Sequence, residues 1–231
     1  MTEPKFKHAF FIPYKGDNYS NGIIGKKVLV LGASFYCDKD CKYRANCTDL
    51  LTRDSSKYNL TCPEYKGKKD ENGNSLRLSN EPSNVDDSYS AYKIFEKLFI
   101  EATGIEDMWN HIAFTNYVQF FLPSKETKEE YLTERDYLAF IEVVQHHEYD
   151  PDVIIVWGAP VRDELQRRLP KSCKSIDKIR NRDRVLRVHF YNENKVRVLV
   201  FMHHPICAFK NKKVWNADFG KMTENIKIAL Q

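Results

Sequence analysis

Four cysteines crowd one region of the chain: Cys37, Cys41, Cys47 and Cys62, in the spacing C-x3-C-x5-C-x14-C. Four thiolates satisfy the ligand count of a tetrahedral zinc ion or of a four-iron cluster. The polar sequence around them cannot build an apolar core, so we expect a structural metal, zinc or a 4Fe-4S cluster, in its place. Cys173 and Cys207 stand apart and read as ordinary packed or surface thiols. A second group is Lys210, Lys212 and Lys213, with Phe209 and Trp215 interleaved. Such a charge run is usually a solvated loop; beside a pocket the same residues suit phosphate contacts and an apolar wedge. A third group, Ser34, Tyr36, Asn116 and His204, is scattered in sequence and depends on the elements that carry it.

Those elements alternate. Residues 26–32, KKVLVLG, form a short apolar β-branched run ended by glycine, as in a strand buried on both faces. Residues 33–82 show neither periodicity and finish in a polar stretch, which reads as an insertion. Ala91, Ile94, Phe95, Leu98, Phe99 and Ala102 then repeat at helical spacing, with Gly104 placed as a left-handed C-terminal residue. Residues 111–121, HIAFTNYVQFF, predict a second strand that delivers Asn116 and Gln119 near its end. Thr133 with Asp136 predicts a capping box ahead of a helix with a stripe of Leu138, Ile141 and Val144. The next strand runs into Gly158, and Pro160 starts a short helix. A hairpin around NEN follows, its second strand terminating at His203, His204 and Pro205. Phe219, Met222, Ile226 and Leu230 space a closing helix.

This order predicts a three-layer α/β/α sandwich with a central, mainly parallel sheet, one domain over residues 1–231 with the cysteine-rich insertion at 33–82 inside it. A chain of 231 residues, 42% hydrophobic, can bury one sizeable core. The +4 balance, 36 basic against 32 acidic residues, does not by itself mark a nucleic-acid binder, so local clusters decide. No stretch reads as a signal peptide or reaches the ~18 apolar residues of a membrane span, so we expect a cytoplasmic protein with no membrane partner. In an α/β sheet of this kind ligands bind beyond the carboxyl ends of the strands. Four such ends carry residues 32–36, Asn116, Gly158 and His204 to one crevice.

The motifs LGASFY, FTNYVQ, PDVIIVWGAP, FMHHP and WNADFGKMTENI, in that order, resemble those of the uracil-DNA glycosylase superfamily. The resemblance covers roughly residues 26–32, 88–168 and 195–230. It implies that Asn116 hydrogen-bonds a flipped base, that His204 stabilises the departing base anion, and that Tyr36 closes the pocket beside the ring. Gly32 and Ala33 would line the base site, and the loop 205–215, with Lys210, Lys212, Lys213 and Trp215, would enter the duplex. Some glycosylases of this superfamily hold a four-iron cluster, though their first cysteine pair precedes the first motif, whereas all four cysteines follow it here.

The residue types suit that chemistry. A carboxamide offers one acceptor and two donors, which matches a base edge presenting N–H beside C=O. Cleaving an N-glycosidic bond develops negative charge on the base, which a histidine donor stabilises. A carboxylate ordinarily answers the sugar cation or the water. At the two positions where the family carries that acid, this chain has Ala33 and Ser34. Asp38 and Asp40 follow closely, and Ser34 with Asn116 offers an uncharged alternative for holding water. The expected activity is excision of uracil or another modified base from DNA, with no organic cofactor. Two rivals stand beside it: a non-catalytic nucleic-acid or nucleotide-binding module, and an enzyme acting on a free nucleoside or nucleotide.

Overall fold

The structure is a computed structural model that describes residues 6–9, 11–36, 90–119, 121–122, 127–169, 174–177, 184–189, 195–205 and 215–231. In chain order its strands and α-helices are β1 (Tyr14–Lys15), β2 (Val28–Gly32), β3 (Phe35–Tyr36), α1 (Ser90–Thr103), β4 (Ile112–Asn116), β5 (Phe121–Leu122), α2 (Glu134–Gln145), β6 (Val153–Trp157), α3 (Ala159–Arg168), β7 (Lys174–Asp177), β8 (Arg184–His189), β9 (Val196–Met202) and α4 (Trp215–Leu230). The larger sheet has 7 strands in the order β1-β4-β2-β6-β9-β8-β7. Its centre, β4-β2-β6-β9, is parallel, while β1, β8 and β7 are added antiparallel at the two sides. The fold is therefore α/β with parallel strands at the heart of a mixed sheet.

Period-2 alternation splits the core into two layers. Leu29, Leu31, Ala113, Ile154, Val156, Leu199 and Phe201 pack under α2 and α3, against Ala139, Phe140, Val143, Val161 and Leu165. Val28, Val30, Ile112, Phe114, Ile155, Trp157 and Val200 face α1 and α4, against Phe95, Leu98, Phe99, Met222 and Ile226. Because both sides of the central strands are covered, their residues read as unbroken apolar runs. Each fully buried Leu, Ile or Phe contributes about 1.5–3 kcal/mol through removal from water.

The chain leaves β2 toward β4 through α1 on one face, then returns across β2 to β6 through α2 on the other. Crossovers of one hand made in opposite directions must place their helices on opposite faces. The reversal puts a topological switch point between β2 and β6, where α/β sheets open a crevice at their carboxyl ends.

Several helix ends follow from single residues. Thr133 caps α2 and Asp136 returns the contact, its Oδ2 accepting from Thr133 N–H at 2.9 Å. Gly104 ends α1 at φ 75°, with its N–H on the Ile100 carbonyl. Pro160 lies in the first turn of α3, where its missing N–H leaves no bond unmade.

Two of the predicted elements differ in the structure. The run 111–121 is not one strand: β4 ends at Asn116, and Phe121–Leu122 form β5, paired in parallel with Phe35–Tyr36 in a separate 2-stranded sheet. The buried face of α2 is Ala139, Phe140, Val143 and Val144, whereas Leu138 is 38% exposed. Phe140 and Val143 offer a larger apolar face than the stripe through Leu138, and the helix turns accordingly. Among the described residues no helix is long and apolar enough to cross a membrane.

Candidate functional site

The carboxyl ends of β2, β4, β6 and β9 bring Gly32, Asn116, Trp157, Gly158 and His204 to one end of the sheet. Register sets the row: Gly32 pairs with Asn116, Leu31 with Val156, and Trp157 with Met202. Asn116 follows Phe114 by two residues, and Trp157 follows Ile155, so both belong to the face covered by α1 and α4.

Gly32 is required by space. A Cβ there would stand 2.4 Å from Asn116 Oδ1 and 3.0 Å from the Phe114 ring, so only glycine lets the carboxamide lie over β2. Asn116 is 4% exposed. Among the described residues no group hydrogen-bonds its side-chain amide, and that amide is not one of the fully enclosed polar groups left unpaired, so it keeps an open side. Its backbone is held firmly by contrast. Tyr117 N–H donates to the Gly32 carbonyl and Val118 N–H to the Ala33 carbonyl, both at 2.9 Å, which extends the β2–β4 ladder past the strand ends.

His204 lies on the far side of the switch point. Its ring meets that of Trp157 edge-on, with centroids 5.9 Å apart, and Trp157 in turn contacts Phe95, Phe114 and Tyr92. Burial beside this aromatic cluster pushes the His204 pKa down to about 4, so the imidazole is neutral at physiological pH. A neutral imidazole donates from one nitrogen and accepts at the other. Gly158 adopts φ 90°, a backbone conformation that favours glycine, and its N–H donates to the Met202 carbonyl. That bond draws the start of α3 against the end of β9, where His204 follows.

Ser34 is buried at 8% exposure, and its hydroxyl pairs with that of Thr127 at 2.9 Å. Thr127 precedes a segment tied to α3 by the ion pairs Arg167–Glu129 and Arg168–Glu134. Ala33 packs in the α2/α3 layer. The backbone of Tyr36 is paired in β3 opposite Leu122. Among the described strand-end residues from 32 to 36, at 116, at 157–158 and at 203–204, none is a carboxylate.

The remaining sequence-derived candidates are placed as follows. Asp38, Asp40, Cys37, Cys41, Cys47 and Cys62 lie outside the described residues, as do Lys210, Lys212 and Lys213. Trp215 is the first residue of α4. Among the described residues no cluster of three or more His, Cys, Asp or Glu is arranged to hold a metal.

The sequence reading missed three contributors. Thr127 had no signal, since its contact with Ser34 joins positions 93 residues apart in sequence. The aromatic floor of Tyr92, Phe114 and Trp157 had only the composition of its strands and helix. Asp136 was legible as a cap, but not as the group whose Oδ1 also accepts Gln119 N–H at 2.9 Å beside β4. Burial holds the Asp136 carboxyl above the ordinary aspartate range, against the pull of its Thr133 and Gln119 donors.

No protein-family model matches the chain, and no curated protein matches it.

Proposed function

We propose that the protein is a DNA glycosylase-like enzyme that receives a base flipped out of DNA at the carboxyl ends of β2, β4, β6 and β9. It would hydrolyse the N-glycosidic bond of uracil or another modified base. One observation carries the reading: the carboxamide of Asn116, a residue only 4% exposed, has no hydrogen-bond partner among the described residues and keeps an open side at the switch-point end of the sheet that also bears a neutral His204. The ordered motifs that resemble the uracil-DNA glycosylase superfamily support it.

In the reaction, the Asn116 carboxamide pairs with the N–H and C=O edge of the base. As the bond from sugar C1′ to the base nitrogen breaks, its electron pair leaves with the base. His204 donates N–H to the oxygen on which that charge collects. A water oxygen, oriented by Asp38 or Ser34, bonds to C1′, and its proton passes to the departed base anion, which leaves as the neutral free base. Lys210, Lys212, Lys213 and Trp215 would hold the strand, and Cys37, Cys41, Cys47 and Cys62 would hold zinc or a 4Fe-4S cluster that braces the wall behind Tyr36.

A second reading has its own observation. Ala33 and Ser34 stand where an acid is expected, and the Ser34 hydroxyl is engaged with Thr127. A pocket so built would read a base without removing it.

The deciding experiment is product analysis on single- and double-stranded oligonucleotides carrying uracil, hypoxanthine, xanthine or modified cytosines, followed by alkaline cleavage of abasic sites. Cleavage at one base, abolished in Asn116→Ala and His204→Ala, is the expected result. Binding without cleavage would select the second reading, and cleavage that survives both substitutions would remove the pocket assignment.

A further inference from the structure

Gln119 stands three residues beyond Asn116 and is 6% exposed. Its side-chain amide and its backbone N–H each engage a different part of the chain. Nε2–H donates to the Asn116 carbonyl oxygen at 2.7 Å, and Oε1 accepts from Phe11 N–H at 3.0 Å. The backbone N–H donates to Asp136 Oδ1 in the capping box of α2. These partners fix which way the carboxamide faces, because a backbone carbonyl can only accept and a backbone N–H can only donate.

The peptide unit between Asn116 and Tyr117 is thereby gripped at both of its polar atoms. Gln119 takes its oxygen, and the Gly32 carbonyl takes its N–H. Orientation of that unit sets the backbone of Asn116, and with it where the carboxamide can lie over Gly32. The N-terminal segment joins the same tie, since the Phe11 ring meets that of Phe35 in β3 at 4.8 Å. The backbone around Asn116 is bonded in place, while among the described residues no group holds its carboxamide.

We infer that Gln119 is a positioning residue, which couples the α2 cap and the N-terminal segment to β4 and so holds the Asn116 carboxamide ready for its ligand. The inference rests on the reading of Asn116 as the ligand-binding group. A side chain fixed before binding loses less freedom when the ligand arrives, which is the benefit of such a tie.

Gln119→Glu is the discriminating variant in the full-length protein. It keeps the shape and the acceptor for Phe11 N–H, but sets an oxygen against the Asn116 carbonyl. The readout is the pair of side-chain N–H resonances of Asn116 in a proton–nitrogen NMR spectrum, identified by their disappearance in Asn116→Ala. At pH 8 the pair is expected to shift and broaden while the thermal midpoint remains that of a folded protein. As pH falls and the introduced carboxyl takes up a proton, its O–H can donate to the Asn116 oxygen, and the pair should return toward the wild-type position. Asp136 bonds Gln119 N–H directly, and His204 titrates at the same end of the sheet, so the wild-type protein scanned over the same range supplies the baseline. Affinity for the preferred oligonucleotide should fall about 10-fold at pH 8 in the variant, as expected for a pocket that must order itself on binding.

Asn116 resonances unmoved at pH 8 in the folded variant would overturn the inference. If Gln119→Glu does not fold, Gln119→Met fills the same space without any donor. There the pair should be displaced at every pH, and an unmoved pair would again overturn the inference. Should the resonances respond as stated while no oligonucleotide binds, the positioning role stands and the base-reading proposal fails.

Discussion

At the scale of the residue, the site rests on two complementary choices: a glycine that vacates space and an asparagine that fills it. Gly32→Ala places a methyl 2.4 Å from Asn116 Oδ1, so the carboxamide must leave its position. We expect a stability loss of about 1–3 kcal/mol by denaturant titration, as for other overpacked sites, together with loss of ligand binding. Retained binding in that variant would show that Asn116 does not need its place over β2. His204 makes a separate prediction through its titration. Its pKa of about 4 in the folded state lies below the ordinary 6.5. Between these values the unfolded chain takes up a proton that the folded chain does not. Stability is therefore full above about pH 6.5, falls as the pH drops toward 4, and levels below. The His204 share of that loss is about 3 kcal/mol, and His204→Gln should flatten this part of the curve.

At the scale of the element, most of the frame was legible because local periodicity and caps agreed with the tertiary environment. The helical spacing from Ala91 to Ala102, the Thr133–Asp136 box and Pro160 each specified an element that is present. β1, β3 and β5 were not legible, since two residues carry no period. The end of β4 at Asn116 was hidden for a related reason: the apolar pattern continues through Val118 while the pairing partner changes from β2 to β3. A turn that no pattern flagged offers a further test. Ile23 and Lys26 exchange both backbone hydrogen bonds around Ile24 and Gly25, which have φ 51° and 70°. Such a two-residue loop favours Asn-Gly, because a β-branched residue is strained in the left-handed region. Ile24 is 72% exposed, so it has little packing to lose. Ile24→Asn should raise the unfolding free energy by about 1 kcal/mol, read as a higher urea midpoint at unchanged slope.

At the scale of the whole molecule, a parallel centre with helices on both faces explains why residues as distant in sequence as Gly32 and His204 share one end of the sheet. The cysteine spacing supplies a prediction for the protein as a whole. Purified protein should carry about one equivalent of zinc or one cluster's iron, measured by elemental analysis, and chelation should lower its thermal midpoint. Protein that is fully folded and free of both metals would exclude the metal brace. Spacing alone was enough to raise that expectation, whereas the site needed the fold, because nothing local to Asn116 reveals that its amide lies over Gly32 with no hydrogen-bond partner among the described residues. The central claim is that Asn116 reads a base. It is tested most directly by comparing affinities, at one fixed salt concentration, for oligonucleotides that differ only in a single base, with wild-type protein and Asn116→Ala side by side. The account predicts that wild-type protein prefers one base by about 10-fold or more and that the variant binds all of them alike, since losing one good set of base contacts costs about 1–3 kcal/mol. Equal affinities in the wild-type protein, or a preference that persists in Asn116→Ala, would contradict it.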